Sequence, residues 1–220
     1  MTGDPSQRDI WPPPGPATHG GVPKPSLRAQ HVEATRAALV AAGRELFGTK
    51  GFSATSVDDL AAEAGVTTGA LYHHFKTKTD LFAAVFETVH VELLGRAATA
   101  SAKAKRGHAD GLLKGFESFL DAVLEPEVAR IIVLDAPAVL GLERYTELDE
   151  RYAFVAIVES LELAHAAGEL DVRDAETLAR LLLGAVTRGA MLVANAADKR
   201  RTRNAVARSL RGLLAGLEPG

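Results

Sequence analysis

Residues 67–78, Thr-Thr-Gly-Ala-Leu-Tyr-His-His-Phe-Lys-Thr-Lys, hold side chains whose types and spacing suit contact with nucleic acid. Thr67, Thr68, Gly69 and Ala70 are short, which lets a helix backbone approach base edges in a major groove. Tyr72, His73, His74, Lys76 and Lys78 follow as donors for phosphate oxygens, and Ser56 offers a hydroxyl upstream. Free N–H groups and the positive dipole end at Thr67 and Thr68 would add a phosphate site. A metal is the rival reading of His73 and His74. Adjacent helical residues point about 100° apart and neither histidine has a carboxylate four residues on, so no metal site is expected.

Those side chains need two short helices and a tight turn to position them. Ser56 with Asp59 has capping-box spacing, and Val57, Leu60, Ala61 and Ala64 repeat at i, i+3, i+4, i+7. Gly65 suits the left-handed conformation that ends such a helix, and Thr67 is placed to cap the next. Leu71 and Phe75, four apart, face inward with Val57, Leu60, Ala61 and Val66, so the third helix runs to about Phe75. Thr77 and Asp80 repeat the cap-and-acid spacing and open a fourth helix through Leu81 and Val85. A first helix over about 31–48 puts Leu39, Ala42, Leu46 and Phe47 on one face.

The rest of the chain reads as helical too. The pattern predicts helices over about 108–124, from Pro126 to near Asp135, over 142–167 ended by Gly168, and over 174–196 and 199–217, with Pro137 and Gly141 as interruptions. The stripe Leu178, Leu181, Leu182, Ala185, Val186, Gly189, Leu192 and Val193 is wider than one neighbour can cover. Val206, Leu210, Leu213, Leu214 and Leu217 form a narrower one. The pair suggests an oligomer interface, or else a broad monomer core. By contrast, residues 1–27 carry Pro5, Pro12, Pro13, Pro14, Pro16, Pro23 and Pro25 among glycines, which predicts a disordered tail. Trp11 leaves a polyproline-recognition motif open, and Lys24 and Arg28 could reach phosphates as an arm.

Composition narrows the function classes. Lys and Arg total 25 against 28 Asp and Glu, a formal charge of −3, so any nucleic-acid contact must come from a local patch. There is no cysteine, hence no disulfide or thiolate metal site. No apolar run near the length of a membrane span is expected, and no signal peptide, which makes a soluble cytoplasmic protein the default. An enzyme would need a nucleophile, a positioned base or a metal set. No nucleophile elbow, His-Glu-x-x-His or phosphate-cradling glycine loop is present, so no catalytic residue and no cofactor is expected. A helical oligomer that binds a protein or membrane and does not read DNA is the third class considered.

The stretch from Leu39-Val40-Ala41-Ala42-Gly43-Arg44-Glu45-Leu46-Phe47 through Gly51-Phe52, Thr55-Ser56-Val57, Leu60-Ala61, Ala64-Gly65-Val66 and Gly69-Ala70-Leu71-Tyr72-His73-His74-Phe75 to Lys76-Thr77-Lys78-Thr79-Asp80-Leu81 resembles the TetR family of transcriptional regulators. Gly43 stands where the family often has Ala, and Thr79 where an acid is common. The resemblance implies an all-α fold: a three-helix helix-turn-helix DNA-binding domain over 30–90 and a helical effector-binding and dimerisation domain over 91–217. It implies that Thr67, Thr68, Gly69 and Ala70 lie against base edges or adjacent phosphates. Tyr72 and His74 would hold phosphates, His73 would lie at the groove, and Lys78 would clamp the DNA backbone. It further implies a cytoplasmic, nucleoid-associated homodimer on double-stranded DNA with a palindromic operator, most simply a repressor released by a small molecule. By position, Phe86, His90, Phe116, Phe119, Leu120, Leu134, Tyr145 and Tyr152 are candidates to line the effector pocket, or else are core. Arg144, Asp149 and Arg151 could anchor a polar ligand or form solvated ion pairs.

Overall fold

A computed structural model describes residues 26–219 of the chain. The expectations for the proline-rich tail, for Trp11 and Lys24, and for the side chain of Arg28 lie outside the described residues. Every described element is helical. Helix α1 (Leu27–Thr49) starts earlier than the periodicity predicts, because Ser26 caps it through a bond from the Ala29 amide (3.2 Å). Then come α2 (Val57–Glu63), α3 (Thr68–His74), α4 (Lys78–Ala102) and α5 (His108–Ala122). A nearly continuous helical run follows: α6 (Pro126–Val128), a π-helical segment (Ala129–Asp135), α7 (Ala136–Asp149), a second π segment (Glu150–Phe154) and α8 (Val155–Ala166). Helices α9 (Ala175–Asn195) and α10 (Lys199–Ala215) complete it.

The local signals act where the sequence puts them. Ser56 Oγ accepts from the Asp59 amide (3.0 Å) while Asp59 Oδ2 accepts from the Ser56 amide (3.2 Å), and Thr77 with Asp80 repeats the reciprocal pair at α4. Each box satisfies two otherwise orphaned donors, and bonds from the two hydroxyl residues hold both carboxyls below the usual range. Gly65, at φ +68°, closes α2: its amide bonds Ala62 O (3.1 Å) and that of Val66 bonds Ala61 O (2.9 Å), a Schellman turn. Pro137, expected as an interruption, is carried within the helical run, just past the first π segment. Gly141 is the real break, with φ +76° and ψ 160° inside α7.

Packing joins the elements around one apolar core that runs from Leu39 to Leu214. At its head Phe47, Phe52 and Phe82 form a triangle with centroids 5.3–5.6 Å apart. Gly43 is explained here: a Cβ would meet Val85 Cγ2 at 2.9 Å, so the α1–α4 crossing leaves no room for the alanine common at that position. No linker separates the two expected domains. The 90/91 boundary falls within α4, about 37 Å long at 1.5 Å per residue, and Phe86, Val89, His90 and Leu93 are buried on either side of it.

One exclusion needs correction. Helix α9 has 21 residues and a mean hydropathy of 1.4 over its most apolar window, which is long and apolar enough to cross a membrane. The match rests on length and composition. Ala179, Leu182, Val186, Ala190 and Val193 bury one face of α9, and at Gly189 a Cβ would lie 2.5 Å from Val206 Cγ1 of α10. The opposite face keeps Leu181 (67%) and Leu192 (50%) exposed three turns apart, and α10 keeps Leu213 (56%) exposed.

Candidate nucleic-acid interface and cavity

Helix α3 stands on Leu71 and Phe75, both buried, and turns its other face to solvent. Thr67 Oγ1 caps it by accepting from the Ala70 amide (3.1 Å), so one of the N–H groups expected to be free is already engaged. Thr68 Oγ1 donates to Asp58 Oδ1 (3.1 Å) and ties α3 to α2, which leaves its methyl and oxygen lone pairs outward. Above Gly69 the nearest atom to a built Cβ is Thr67 Oγ1 at 3.9 Å. The protein's own packing therefore gives no reason for the glycine. Tyr72 is half exposed, His73 and Lys76 are exposed, His74 and Ala70 are partly covered, and Ser56 is exposed at the start of α2. The His73 and His74 rings lie edge to face, 5.6 Å between centroids.

Lys78 differs from expectation. Its ammonium donates to Phe52 O (2.9 Å) and Thr55 O (2.8 Å) and lies 4.2 Å from the Phe52 ring centroid. Those carbonyls end the α1–α2 connection, so Lys78 ties the first turn of α4 to the loop that presents α2. A clamp on the DNA backbone would have to use what remains of its donor capacity. Sequence reasoning missed Arg36, whose guanidinium stacks 4.8 Å from the Phe75 centroid and so lies beside α3. The only sequence signal is a cation on the polar side of α1.

A second site lies in the C-terminal half. A cavity of about 730 Å³ opens between α4, α5, α8 and α9. Of the eight candidates for an effector pocket, His90, Phe116, Phe119 and Tyr152 line it. The other four do not. Phe86, Leu120 and Tyr145 are core, and Leu134, 43% exposed, turns outward from the first π segment. The periodicity marks a residue as apolar and helical but does not say which neighbour it meets. Small residues missed by the sequence reading shape the walls: Ala97 on α4 faces Gly115 on α5, and Ser101 faces Gly111.

The cavity's polar groups come from every side: His90 and Ser101 of α4, His108 of α5, Asp149 at the end of α7, Tyr152 of the second π segment, Glu159 and Ser160 of α8, and Thr187 of α9. Asp149, whose carboxyl burial pushes up to about 6, receives a long bond from Thr187 Oγ1 (3.5 Å) that opposes the shift. His90 is buried with neither ring nitrogen hydrogen-bonded, and burial pushes it down to about 4. Its ring is 6.0 Å from that of Tyr152 and 5.4 Å from that of Phe86. Arg144 and Arg151 instead face α4: Arg144 pairs with Asp80 (3.3 Å), and Arg151 with Glu147 (2.9 Å) and Glu87 (3.5 Å).

These contacts connect the cavity wall to the reading helices. Asp80 is the acid of the α4 capping box, and Arg144 lies on the helix that carries Asp149. Upstream, Asp135 Oδ2 at the end of the first π segment accepts from the Phe52 amide (2.9 Å). Arg44 of α1 pairs with both Glu92 of α4 and Glu127 of α6.

Comparison with known proteins agrees with this geometry. Residues 39–85 match the family model of bacterial regulatory proteins of the tetR family, and residues 109–217 that of a tetracyclin repressor-like C-terminal domain. The chain is 30% identical to the HTH-type transcriptional regulator CymR of Pseudomonas putida, over 74% of this chain and 81% of that one. It is 26% identical to the Tn10 TetC protein of Escherichia coli, over 70% and 78%. A crystal structure of a TetR-family transcriptional regulator from Pectobacterium atrosepticum superposes with a TM-score of 0.78 at 33% identity, covering 87% of this chain and 97% of that one.

Proposed function

Since this chain belongs to the TetR family of DNA-binding transcriptional regulators, we propose that it is a homodimeric repressor released from a palindromic operator by a small molecule in the α4–α5–α8–α9 cavity. The observation that carries the reading is the open space over Gly69. An exposed helix face, capped from beneath by Thr67 and anchored by Leu71 and Phe75, leaves its backbone bare where a base edge would approach. Tyr72, His73, His74 and Lys76, with Ser56 from α2, surround that spot as phosphate partners.

Dimerisation is supported by Leu181, Leu192 and Leu213, large apolar side chains that α9 and α10 leave uncovered. Two-fold symmetry would set two α3 helices into successive major grooves, about 34–36 Å apart or a multiple of it. A ligand that alters the cavity wall would act on that spacing through α7 and α4, by way of Arg144–Asp80 and Asp135–Phe52. Moving the population from mostly competent to mostly incompetent requires about 5.5 kcal/mol of differential ligand binding. In this reading the protein works in the cytoplasm at the nucleoid.

A footprint of the purified protein on the DNA flanking its own gene tests the proposal. Two protected half-sites related by a dyad are expected, with affinity falling steeply as salt rises because phosphate contacts release counterions. Binding without a salt slope, or protection without a dyad, would reject it.

A further inference from the structure

From the polar groups of the cavity we infer the class of effector: a predominantly apolar molecule, uncharged or cationic, that carries a hydroxyl or amine donor at one end, and not an anion. This inference rests on the proposal that the cavity is the effector site. Three observations carry it. Among the described residues no Lys or Arg lines the cavity, whereas Asp149 and Glu159 do, so a carboxylate or phosphate would meet like charge with no permanent cation to offset it, His90 and His108 being the basic side chains there. Asp149 is an acceptor whose one protein donor, Thr187, sits at 3.5 Å, the limit of a hydrogen bond. His90 is buried, and both of its nitrogens lack a partner.

A neutral imidazole offers one N–H and one lone pair. Both nitrogens are closed to solvent, so a ligand reaches them only when the ring turns toward the cavity; a hydroxyl then satisfies both, because it donates and accepts. An ammonium satisfies the lone pair and the Asp149 carboxylate together. Buried polar groups left without partners carry a desolvation penalty, so a donor-bearing ligand gains by completing them while an isosteric hydrocarbon does not. The remaining wall is mostly Ala, Gly, Leu, Ile, Val and Phe, with Ser101, His108, Tyr152 and Ser160 among them, and the volume suits one ring-containing molecule of ordinary ligand size.

The test uses the full chain at pH 7.5 with four probes that share one apolar body: 2-naphthol, 2-(aminomethyl)naphthalene, 2-naphthoate and naphthalene. Calorimetric titration gives affinity, and a fluorescent operator fragment reports release. At least one of the naphthol and the amine is expected to bind tenfold or more tighter than both naphthoate and naphthalene. Whichever of the two binds tighter assigns the donor as hydroxyl or ammonium. Asp149→Asn should cut the preference for donor over anion about tenfold. His90→Phe should weaken the naphthol while raising the Tm of the ligand-free protein. Naphthoate binding as tightly as the donors would overturn the inference, as would unchanged selectivity in both variants. If naphthoate then releases DNA, effector release stands and only the ligand class is lost. If none of the four binds, the inference falls, and Gly115→Phe, which fills the cavity, tells whether the cavity is used at all: an unaltered response to cell extract would remove the effector site as well.

Discussion

The reading head and the cavity wall are built from the same residue types but to different standards of completeness. In the head, both N-terminal caps flanking α3 are closed boxes, three phenylalanines interlock, and Lys78 satisfies two loop carbonyls. Along the cavity, the wall includes Tyr152 and Ala153 of a π segment, a histidine lies buried with neither nitrogen hydrogen-bonded, and burial raises a carboxyl to about 6. The lesson is a division of labour. Under the proposed function, geometry that has to match a DNA spacing is over-determined, whereas a wall that has to respond keeps unsatisfied groups for a ligand to complete.

The largest expected effect comes from truncating the head's core. Phe82→Ala should cost about 3–5 kcal/mol in urea unfolding, because the ring is fully buried against two others. Phe119→Ala, on a wall already open to the cavity, should cost less than half of that. Equal losses would erase the distinction.

Lys78→Ala comes next, at about 2 kcal/mol, since it strips a charged donor from two carbonyls. Its operator affinity should fall with the salt slope unchanged. Lys76→Ala should lower that slope by about 1 and leave stability alone. A reversed pattern would restore Lys78 as a phosphate clamp.

On the cavity side, pH separates His90 from Asp149. Burial lowers His90 to about 4, so its contribution is present above about 6.5 and is lost as pH falls through 4. Asp149, raised to about 6, contributes below about 4 and loses that as pH rises through 6. Relative to the parent, His90→Phe should therefore gain stability toward pH 4. Asp149→Asn should gain toward pH 7, each by on the order of 1–2 kcal/mol. Thermal melts across pH 4–7 with parallel curves would show that neither group feels its burial.

The smallest change in stability belongs to Gly69, and Gly43 is its control. Gly69→Ala should leave Tm unchanged or raise it slightly, by up to about 1 kcal/mol of helix propensity, yet weaken operator binding at least tenfold. Gly43→Ala, the same substitution against Val85, should destabilise by about 1–3 kcal/mol and leave the DNA face intact.

Much of the head was legible because its signals are short. Ser56 with Asp59, Thr77 with Asp80, and Gly65 with Val66 act across one turn, so residue type and spacing decide them. The cavity was half legible. His90, Phe116, Phe119 and Tyr152 line it. Phe86, Leu120, Tyr145 and Leu134 were not distinguishable from them, because helical periodicity gives a face and not the neighbour that face meets. The small residues that open the cavity, Ala97 and Gly115 among them, carry no chemical signal until two helices are brought together.

By itself, then, the sequence determined the helices, their caps and the short-residue face of α3, all set by interactions within about four residues. Only the tertiary structure decided that Lys78 holds the Phe52 and Thr55 carbonyls, that Asp135 meets the Phe52 amide, and that Asp149 and His90 share a cavity. Those pairings join residues from 23 to 83 positions apart. Chain entropy leaves such contacts open until the core closes around them.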